Sequence, residues 1–305
     1  MDKTMNFTII IPHKNTPQLL NRLIKSIPIR DDLEIIVVDD HSDRDIVDFD
    51  HFPGKERSNL LVLLNEGKRG AGHARNYALP YARGKFVLFA DSDDFFNAGF
   101  DNFLDEYKDS EADIVYFSAN SVDIDTNKQS NRADHLHDFI EIYKKDRKYG
   151  ELLMRHQFTE PWCKLIRRAV IENNNIRFDD TSIHEDVKFS CLIGLYANSV
   201  IVDERQFYCV TSRSDSLSRT QTPETYLDEL KVFSWWKKYF MDNMIPLDLP
   251  KFDYRAYNFA RHLYKNNKLF RAEYSMMLEG GLSHMFIIRQ IVKYLWKSLL
   301  YKLKI

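Results

Sequence analysis

Cysteine, glycine and proline are all scarce in this chain of 305 residues, which contains 3, 10 and 9 of them. The three cysteines have no Cys-x-x-Cys spacing, so they favour neither a disulfide framework nor a zinc site and are typical of buried thiols in a reducing compartment. The few glycines and prolines argue against long disordered or collagen-like stretches. A formal net charge of −2 gives the chain no overall attraction for nucleic acid, and we expect no nucleic-acid partner.

Long uncharged apolar runs are also missing. No stretch reaches the roughly 18 residues of a membrane-spanning helix, and the N-terminal apolar run is too short for a signal peptide. We therefore expect a cytoplasmic protein. Hydrophobic residues make up 44% of the chain, which is enough for a sizeable core in one large or two smaller domains.

Short apolar runs alternate with helical patterns over about the first 120 residues. The runs predict strands at residues 7–11, 34–38, 60–64, 86–90 and 113–117, and the patterns between them predict helices at 16–26, 71–81 and 98–107. Pro12 should close the first strand, and Thr16 can cap the first helix. Continuous apolar strands separated by helices indicate the α/β class, with a mostly parallel sheet covered by helices on both faces.

The rest of the chain is less regular. The polar stretch 121–148 is typical of a loop or an insertion with some helix. From Trp162 the pattern resumes with a helix at 185–196 and strands near Val200 and Phe207. After about Pro223 the sequence is wholly helical in pattern and rich in aromatic residues.

Two acidic clusters follow predicted strands: Asp39-Asp40 and Asp91-Ser92-Asp93-Asp94. Aspartate is common after strands because it forms turns and caps, and this explanation stays open for the first cluster. Three carboxylates within four residues repel one another unless a cation lies among them, and oxygen ligands suit Mg²⁺ or Mn²⁺. Since Mg²⁺ usually takes further ligands from substrate phosphates, the second cluster predicts a phosphate-bearing substrate.

Two further segments have both a functional and an ordinary interpretation. The Gly-rich loop at 65–76 carries basic residues at a helix start and could bind a diphosphate, although it is also typical of a simple turn. Glu185-Asp186 begins a predicted helix, where acidic residues are favoured by the helix dipole. One of that pair could instead be a general base.

Taken in order, these segments resemble the large family of inverting glycosyltransferases with the GT-A fold, family 2. The motifs that match are Pro12-His13-Lys14-Asn15, residues 36–42, residues 65–70, Ala74-Arg75-Asn76, residues 89–94, residues 161–165 and His184-Glu185-Asp186. The resemblance implies a GT-A catalytic domain over residues 1–220. Its nucleotide-sugar half would span about 1–120 and its acceptor half 121–220, and a helical C-terminal region would follow at 221–305.

The resemblance also implies a nucleotide-sugar site with a metal ion. Asp39 would bind the donor base, typically uracil, with Asp40 beside it. Asp93 would coordinate Mn²⁺ or Mg²⁺ directly, and Asp91 would lie near both the ribose and the metal. The other residues implied for this site are Pro12 and Asn15 in the nucleotide pocket, Arg75 at the nucleotide or its diphosphate, Ser92, Asp94 near the donor sugar, and Arg213 or a neighbour at the diphosphate.

The remaining implied roles concern the reaction and its acceptor. Asp186 would be the catalytic base, with Glu185 as its neighbour, and Trp162 and Lys164 would border the acceptor. The sequence departs from the family pattern at His13-Lys14, where many members have a small residue followed by Tyr, so base stacking should differ. It departs again at His41 and His184, where glycine is common.

The C-terminal segment 286–305 has no acidic residue. Its apolar residues follow helical spacing at Ile288, Ile291, Val292, Leu295, Leu299 and Leu303, while Arg289, Lys293, Lys297 and Lys304 fall on the opposing side and Lys302 at the apolar edge. Such a helix suits a membrane surface, and packing on the domain or a dimer contact is the alternative, because amphipathicity serves both uses. Membrane binding would place the protein on the inner face of the cell membrane, where a lipid-linked acceptor is found.

We therefore expect an inverting transferase that moves a sugar from a nucleotide-sugar, typically a UDP-sugar, to a glycan or lipid-linked acceptor in surface polysaccharide biosynthesis. Two alternatives stay open. One is a sugar-phosphate nucleotidyltransferase, although residues 12–15 are not the Gly-rich, Arg-containing motif that it should carry after its first strand. The other is a non-catalytic, membrane-associated scaffold that binds nucleotide, against which Glu185-Asp186 argues.

Overall fold

The computed structural model describes residues 4–212, 222–249, 252, 259, 262 and 267–303. The chain forms two compact units. The first, which we call the sheet unit, comprises Met1–Asp180 and Glu185–Ser216. The second, the helical unit, comprises Thr181–His184 and Leu217–Ile305.

The sheet unit contains one eight-stranded sheet. Its strands are β1 (Phe7–His13), β2 (Leu33–Asp39), β3 (Leu60–Leu64), β4 (Phe86–Phe89), β5 (Phe95–Phe96), β6 (Ile114–Asp123), β7 (Lys164–Arg167) and β8 (Val200–Ser212), in the spatial order β3-β2-β1-β4-β7-β6-β8-β5. The pairings of β1 with β2 and β4, of β2 with β3 and of β6 with β8 are parallel, whereas β5 and β7 run against their neighbours. The mostly parallel α/β sheet that the sequence predicts is therefore confirmed.

Helices connect these strands. They are α1 (Pro17–Ser26), α2 (Ala71–Ala78) continued by a 3-10 turn (Leu79–Tyr81), α3 (Phe100–Tyr107), α4 (Asp134–Lys145), α5 (Arg147–His156), α6 (Arg168–Asn173) and α7 (Asp186–Tyr196). Every residue of β1, β2 and β4 is buried. This is the physical reason that these strands are continuous apolar runs, because a strand covered on both faces has no solvent side to mark with polar residues.

The first strand does not end at Pro12, as the sequence predicts, but continues to His13. Proline is tolerated there because no neighbouring strand needs the backbone N–H that it lacks. The carbonyl of Ile10 accepts a hydrogen bond from the N–H of Ala90, just after β4, and the backbone groups of residues two apart in a strand face the same side, so an N–H at residue 12 would also face β4. The register with that neighbour, β4, ends at Ile10↔Phe89, and no ladder hydrogen bond is lost.

The prediction that Thr16 caps the first helix is half right. Thr16 is the N-cap residue of α1, but its side chain makes no capping hydrogen bond. The Thr16 hydroxyl instead lies 3.2 Å from that of Ser92, in the second acidic cluster. A tertiary contact has replaced the local one.

The stretch 121–148 is more ordered than a loop. Strand β6 runs to Asp123, six residues past its predicted end at Phe117, and α4 and the start of α5 occupy most of the remainder. The extension of β6 pairs with the second half of β8, which is one continuous strand over both predicted short ones. Register shifts between Phe117 and Ala119 let the long pair bend.

The helical unit contains α8 (Pro223–Asp242), α9 (Asn267–Glu279) and α10 (His284–Leu303). Ile287 and Tyr294 of α10 are buried. Four other apolar side chains of this helix are exposed, with exposed fractions of 53–62%: Met285, Ile288, Val292 and Trp296. None of the helices in the described ranges has both the length and the hydropathy that a bilayer crossing requires.

Candidate active site

The aspartate clusters lie at the same edge of the sheet. Asp39 is the last residue of β2 and pairs with His13 at the end of β1. Asp91 follows β4 by two residues, and β4 runs parallel to β1. Strand β7 runs antiparallel to both β4 and β6, so β6 has the same direction as β4, and β8 is parallel to β6. The carboxyl ends of β6 and β8 therefore lie at this edge as well. In open α/β sheets this edge is where ligands bind.

Asp39 is held by a hydrogen-bond network that fixes its charge. His13 Nδ1 lies 2.9 Å from one carboxylate oxygen, and the backbone N–H of Thr16 donates to His13 Nε2. Since Nε2 accepts, Nδ1 carries the proton that is donated to Asp39. Ser42 adds its hydroxyl at 2.6 Å. Burial raises the pKa of Asp39, but these hydrogen bonds outweigh it and hold the pKa below its ordinary value.

The loop after β2 is tied to the loop after β1 through Asn15. The Asn15 side-chain oxygen accepts a hydrogen bond from the backbone N–H of Asp43, and the backbone N–H of Asn15 donates one to the hydroxyl of Ser42. Asn15 and His41 both have left-handed backbones, with φ of 54° and 60°. Non-glycine residues adopt this conformation at a cost, and such residues concentrate at functional sites. The left-handed φ explains why glycine is common at the position of His41 in the family that the sequence resembles.

Asp40 organises the Gly-rich loop rather than facing the open edge. It is buried and accepts hydrogen bonds from Gly70 N at 2.8 Å and from Asn65 Nδ2 at 2.7 Å. The loop is also held from outside, where Asp180 contacts both Lys68 and His73. These contacts hold the loop in one conformation and keep the start of α2 next to the end of β2.

The second acidic cluster is fixed by its backbone, mainly to β8. Asp91 N–H donates to the Tyr208 hydroxyl at 2.9 Å, and the carbonyl oxygen of Asp93 accepts from Thr211 Oγ1 and from Arg22. Asp94 accepts the Thr211 N–H at 2.7 Å. Because the main chain is held at several points, the carboxylates that remain accessible are presented in a defined geometry.

The three carboxylates of this cluster lie in different environments. Asp94 is buried, and burial together with the charges of Asp93 and Asp91 raises its pKa well above the ordinary value. Asp91 and Asp93 are partly exposed. No three His, Cys, Asp or Glu side chains form a ready-made metal cage within the ranges that the structure describes. The arrangement fits a divalent cation held by one or two carboxylates and completed by phosphate oxygens.

Arg75 joins the second acidic cluster to Glu185. Its guanidinium is buried, with one nitrogen 2.7 Å from Asp91 Oδ1 and another 3.0 Å from Glu185 Oε1, and it lies over the ring of Phe178. Burial lowers the pKa of Arg75, but the charges of Asp91 and Glu185 outweigh it and raise that pKa. In this structure Arg75 bridges two carboxylates, whereas the resemblance implies a contact with the nucleotide or its diphosphate.

Asp186 is the first residue of α7 and lies in a strongly charged neighbourhood. Burial, followed by the charges of Glu185 and Glu160, raises the pKa of Asp186 well above its ordinary value, while Arg75 and Lys164 oppose this. A carboxylate with a raised proton affinity is a better general base. The residue before the pair, His184, has a left-handed φ of 56°, which again accounts for glycine at this position in the family that the sequence resembles.

Trp162 and Lys164 are both buried, although the resemblance places them at the acceptor. Trp162 stacks on Tyr208 at a centroid distance of 6.0 Å and packs against Phe158. The Lys164 ammonium donates to the carbonyls of Phe158 and Glu160 and contacts the Ser190 hydroxyl. Lys164 thus links the turn before β7 to the face of α7 that carries Asp186, one helical turn away.

Four residues that the structure places around the site are not predicted by the sequence: Tyr208, Thr211, His135 and Glu160. His135 Nε2 lies 3.1 Å from Glu160 Oε1. Their partners lie far away along the chain, so no local pattern could have found them. The structure places Pro12 within β1 and Ser92 beside Thr16. Arg213 lies outside the described residues.

Comparison with known proteins identifies the family of the chain. The family model described as glycosyl transferase family 2 matches residues 8–174. The chain is 27% identical over 245 residues to the poly(ribitol-phosphate) beta-N-acetylglucosaminyltransferase TarS of Staphylococcus aureus, which covers 75% of this chain and 40% of that protein. It is 28% identical over 234 residues to the minor teichoic acid biosynthesis protein GgaB of Bacillus subtilis, covering 72% of this chain and 25% of that one. The chain thus spans less than half the length of these two relatives.

A solved structure also resembles the present one. The crystal structure of residues 1–349 of S. aureus TarS in complex with UDP-GlcNAc matches with a TM-score of 0.63 and 20% identity, covering 98% of this chain and 92% of that one. At this level of identity the match establishes the shared GT-A fold, including a helical C-terminal region.

Proposed function

The chain belongs to glycosyl transferase family 2, and from this premise we propose that it transfers a sugar from a nucleotide-sugar to a hydroxyl group of a glycan or lipid-linked acceptor in surface polysaccharide biosynthesis. The observation that carries the proposal is the arrangement at one edge of the sheet. A charged Asp39, the partly exposed Asp91 and Asp93, and Asp186 at the start of α7 are linked there through Arg75 and the strand ends.

The donor is proposed to be a UDP-sugar. Asp39 keeps its negative charge through His13 and Ser42, so it is a strong acceptor for an N–H of a nucleotide base. Pro12 near the end of β1 and Asn15 in the loop after it are proposed to line the nucleotide pocket with Asp39, because they lie at the same strand ends. The TarS relative with a solved structure binds UDP-GlcNAc, which supports a uridine nucleotide here.

We propose that the enzyme depends on Mg²⁺ or Mn²⁺ held by Asp93 and Asp91. These two carboxylates are partly exposed, whereas Asp94 is turned inward to Thr211. When bound, such a cation would neutralise charge on the departing diphosphate. Asp94 would act on the donor sugar only through a change in this inward position, so we assign it a supporting part in the cluster.

Asp186 is proposed as the base. As the acceptor oxygen forms its bond to the anomeric carbon, the bond from that carbon to the diphosphate oxygen breaks, and the nucleoside diphosphate leaves with the electron pair. Asp186 takes the proton of the attacking hydroxyl. A single displacement of this kind inverts the anomeric configuration. Glu185 holds Arg75, which positions the start of α7 against the second acidic cluster.

Two substitutions test the proposal. A thermal-shift screen of nucleotide-sugars with Mn²⁺ should identify a donor, because ligand binding raises the melting temperature by mass action. Asp93→Asn should abolish the Mn²⁺-dependent part of that shift, and Asp186→Asn should keep donor binding but slow transfer by at least about a hundredfold. Asp109→Asn, at an exposed site in the same unit, is the matched control. Full transfer by Asp93→Asn and Asp186→Asn would refute both assignments.

Assays of pyrophosphate release and of donor hydrolysis separate the alternatives. A nucleotidyltransferase would release pyrophosphate from UTP and a sugar phosphate, and a scaffold would bind the donor without ever hydrolysing it. The acidic pair Glu185-Asp186, joined to the second acidic cluster through Arg75, supports a catalytic role over a scaffold.

We also propose that α10 binds an anionic membrane surface. Its exposed apolar stripe (Met285, Ile288, Val292 and Trp296) is bordered by the exposed cations Arg289 and Lys293. This combination is typical of helices that lie in the lipid interface. The side chains of Lys297, Leu299, Lys302, Leu303 and Lys304, which the sequence assigns to the same helix, lie outside the described residues.

Flotation with vesicles tests this second proposal. The protein should float with vesicles that contain phosphatidylglycerol and remain at the bottom with pure phosphatidylcholine. Val292→Glu should prevent flotation, because it places a carboxylate within the apolar stripe. Equal flotation of the variant and the original protein would refute membrane binding through this face.

A further inference from the structure

We propose that a cavity beside the extended end of β6 binds a neutral, hydroxyl-bearing unit of the acceptor, a glycosyl or alditol residue, and not its phosphates. This inference rests on the proposed transferase function and adds a second acceptor contact away from the reacting hydroxyl. The cavity has a volume of about 620 Å³, which is within the range that holds a sugar-sized ligand.

The cavity has a well-defined frame. One wall is the end of β6, from Ala119 to Val122, and another is the first turn of α4. The hairpin between them is closed by a hydrogen bond from Ser121 Oγ to the carbonyl of Ser130 at 2.7 Å and by the bridge Val122↔Gln129. Gln206, at the register shift of β8, completes the lining. A frame built on paired strands and a helix start is pre-formed for a ligand.

The lining consists largely of residues with hydrogen-bonding side chains, including Asn120 and Ser130. The Ser130 hydroxyl has almost no accessible surface, so the exposed side chains are the ones that a ligand can reach. Gln129, Asp134, Asp138 and Gln206 also surround the cavity. Their carboxylate and amide groups are of the kinds that hold sugar hydroxyls.

The charge of the lining selects the ligand. Asp134 and Asp138 are one helical turn apart on α4 and both line the cavity, and among the described residues the lining contains His137 but no lysine or arginine. Two carboxylates without a compensating Lys or Arg repel a phosphate and accept hydrogen bonds from hydroxyl groups. A polymer with alternating phosphate and polyol would therefore place its polyol here.

The position of the cavity suits the acceptor. It lies beside the carboxyl-terminal half of β6 and reaches the middle of β8 at Gln206, and the carboxyl end of β6 is at the edge of the sheet that carries the acidic clusters. Asn97, three residues after Asp94, donates to Asn120 Oδ1 and to the carbonyl of Gln206, so one side chain connects the cavity wall to the segment that follows the second acidic cluster. Tyr208, two residues after Gln206, contacts Asp91. A chain bound in the cavity would thus lie beside the donor site.

Saturation-transfer NMR with matched pairs of probes tests the proposal. The pairs are ribitol with ribitol 5-phosphate, and glucose with glucose 6-phosphate, each with the full chain saturated with UDP and Mn²⁺ so that the donor site is occupied. The neutral member of at least one pair should bind more tightly than its phosphate. Asp134→Asn combined with Asp138→Asn should weaken neutral binding about tenfold, because two charge-assisted hydrogen bonds become neutral ones. Asp109→Asn is the matched control.

Each outcome bears on the inference. Failure of every neutral probe, tighter binding of the phosphates, or equal binding by the double variant would overturn it. Donor hydrolysis in the absence of acceptor, measured on the same variants, should be unchanged and tests the proposed function independently. If donor hydrolysis persists and the double variant keeps the KM of the original protein for its acceptor, the cavity is not an acceptor site, but the proposed transferase function stands. If the cavity binds a neutral probe but the protein hydrolyses no donor, the proposed transferase function fails, and the cavity can no longer be assigned to an acceptor.

Discussion

Replacing Arg75 with methionine should destabilise the sheet unit strongly, although the two residues have similar volumes. Arg75 is the buried cation between Asp91 and Glu185, with contacts of 2.7 and 3.0 Å. Methionine fills the space beside Phe178 but leaves two carboxylates facing each other without a counter-charge. The loss should therefore come from electrostatics and not from a cavity.

The structure sets the size of the effect. Removing one partner of a fully buried ion pair costs about 3–5 kcal/mol. The side chains of Asp91 and Glu185 are 33% and 19% exposed, so water can partly solvate them after the substitution. We therefore expect a loss of about 2–4 kcal/mol, which for a unit of this size corresponds to a decrease of about 5–15 °C in melting temperature. Arg75→Lys should recover part of this, because lysine keeps the charge but cannot span both carboxylates.

The assay must report on the sheet unit alone, because two units need not unfold together. Hydrogen–deuterium exchange of peptides from β4, followed across a urea series, gives the free energy of unfolding of this unit. Arg69→Met, at an exposed position of the same loop, is the matched control and should change that free energy by less than about 0.5 kcal/mol. An Arg75→Met protein within about 1 kcal/mol of the original would refute the view that this guanidinium compensates the two carboxylates.

Three other predictions follow from buried groups. Burial and the neighbouring Arg155 lower the pKa of His156 to about 4, so between pH 6.5 and 4 the unfolded chain binds a proton that the folded one does not. His156 should therefore contribute a loss of about 2 kcal/mol to the free energy of unfolding between pH 7.5 and 5, and urea titrations should show that His156→Gln loses about 2 kcal/mol less than the original protein over this range. Lys164→Met leaves carbonyls without their donor and should lower the free energy of unfolding by about 2–3 kcal/mol, measured by the same titration; an unchanged value would contradict the assigned contacts. Gly194→Ala should cost about 3 kcal/mol or more, or prevent soluble expression, because a Cβ there would lie 2.0 Å from the Arg155 carbonyl oxygen; a melting temperature equal to the original would refute this close approach of α5 and α7.

The candidate site combines carboxylates whose surroundings give them different proton affinities. Asp39 is buried yet has a lowered pKa, because His13 and Ser42 donate hydrogen bonds to it. The pKa values of Asp94 and Asp186 are instead raised by burial and by neighbouring negative charges. One end of the sheet can thus offer a charged carboxylate to a base and a proton-accepting carboxylate to a hydroxyl group.

The sequence by itself determined the class of fold and the position of the acidic residues along it. Short continuous apolar runs that alternate with helical patterns indicate strands covered on both faces, and parallel strands bring their carboxyl ends to one edge, so Asp39 and Asp91 were expected to meet there. Both statements depend only on residues that are close together in the chain. The same local reasoning was wrong about the end of β1 at Pro12, because proline is harmless where no neighbouring strand needs its N–H.

Only the tertiary structure decided which side chains face the site and which support it. Arg75 meets Glu185, and Asp91 meets Tyr208, across more than a hundred residues of chain. Lys164 is turned into the interior, and Asp94 is held by β8. These outcomes depend on how helices and strands distant in sequence pack together, and on the free-energy cost of leaving a buried charge without a partner. Neither is encoded in the spacing of residues along one segment.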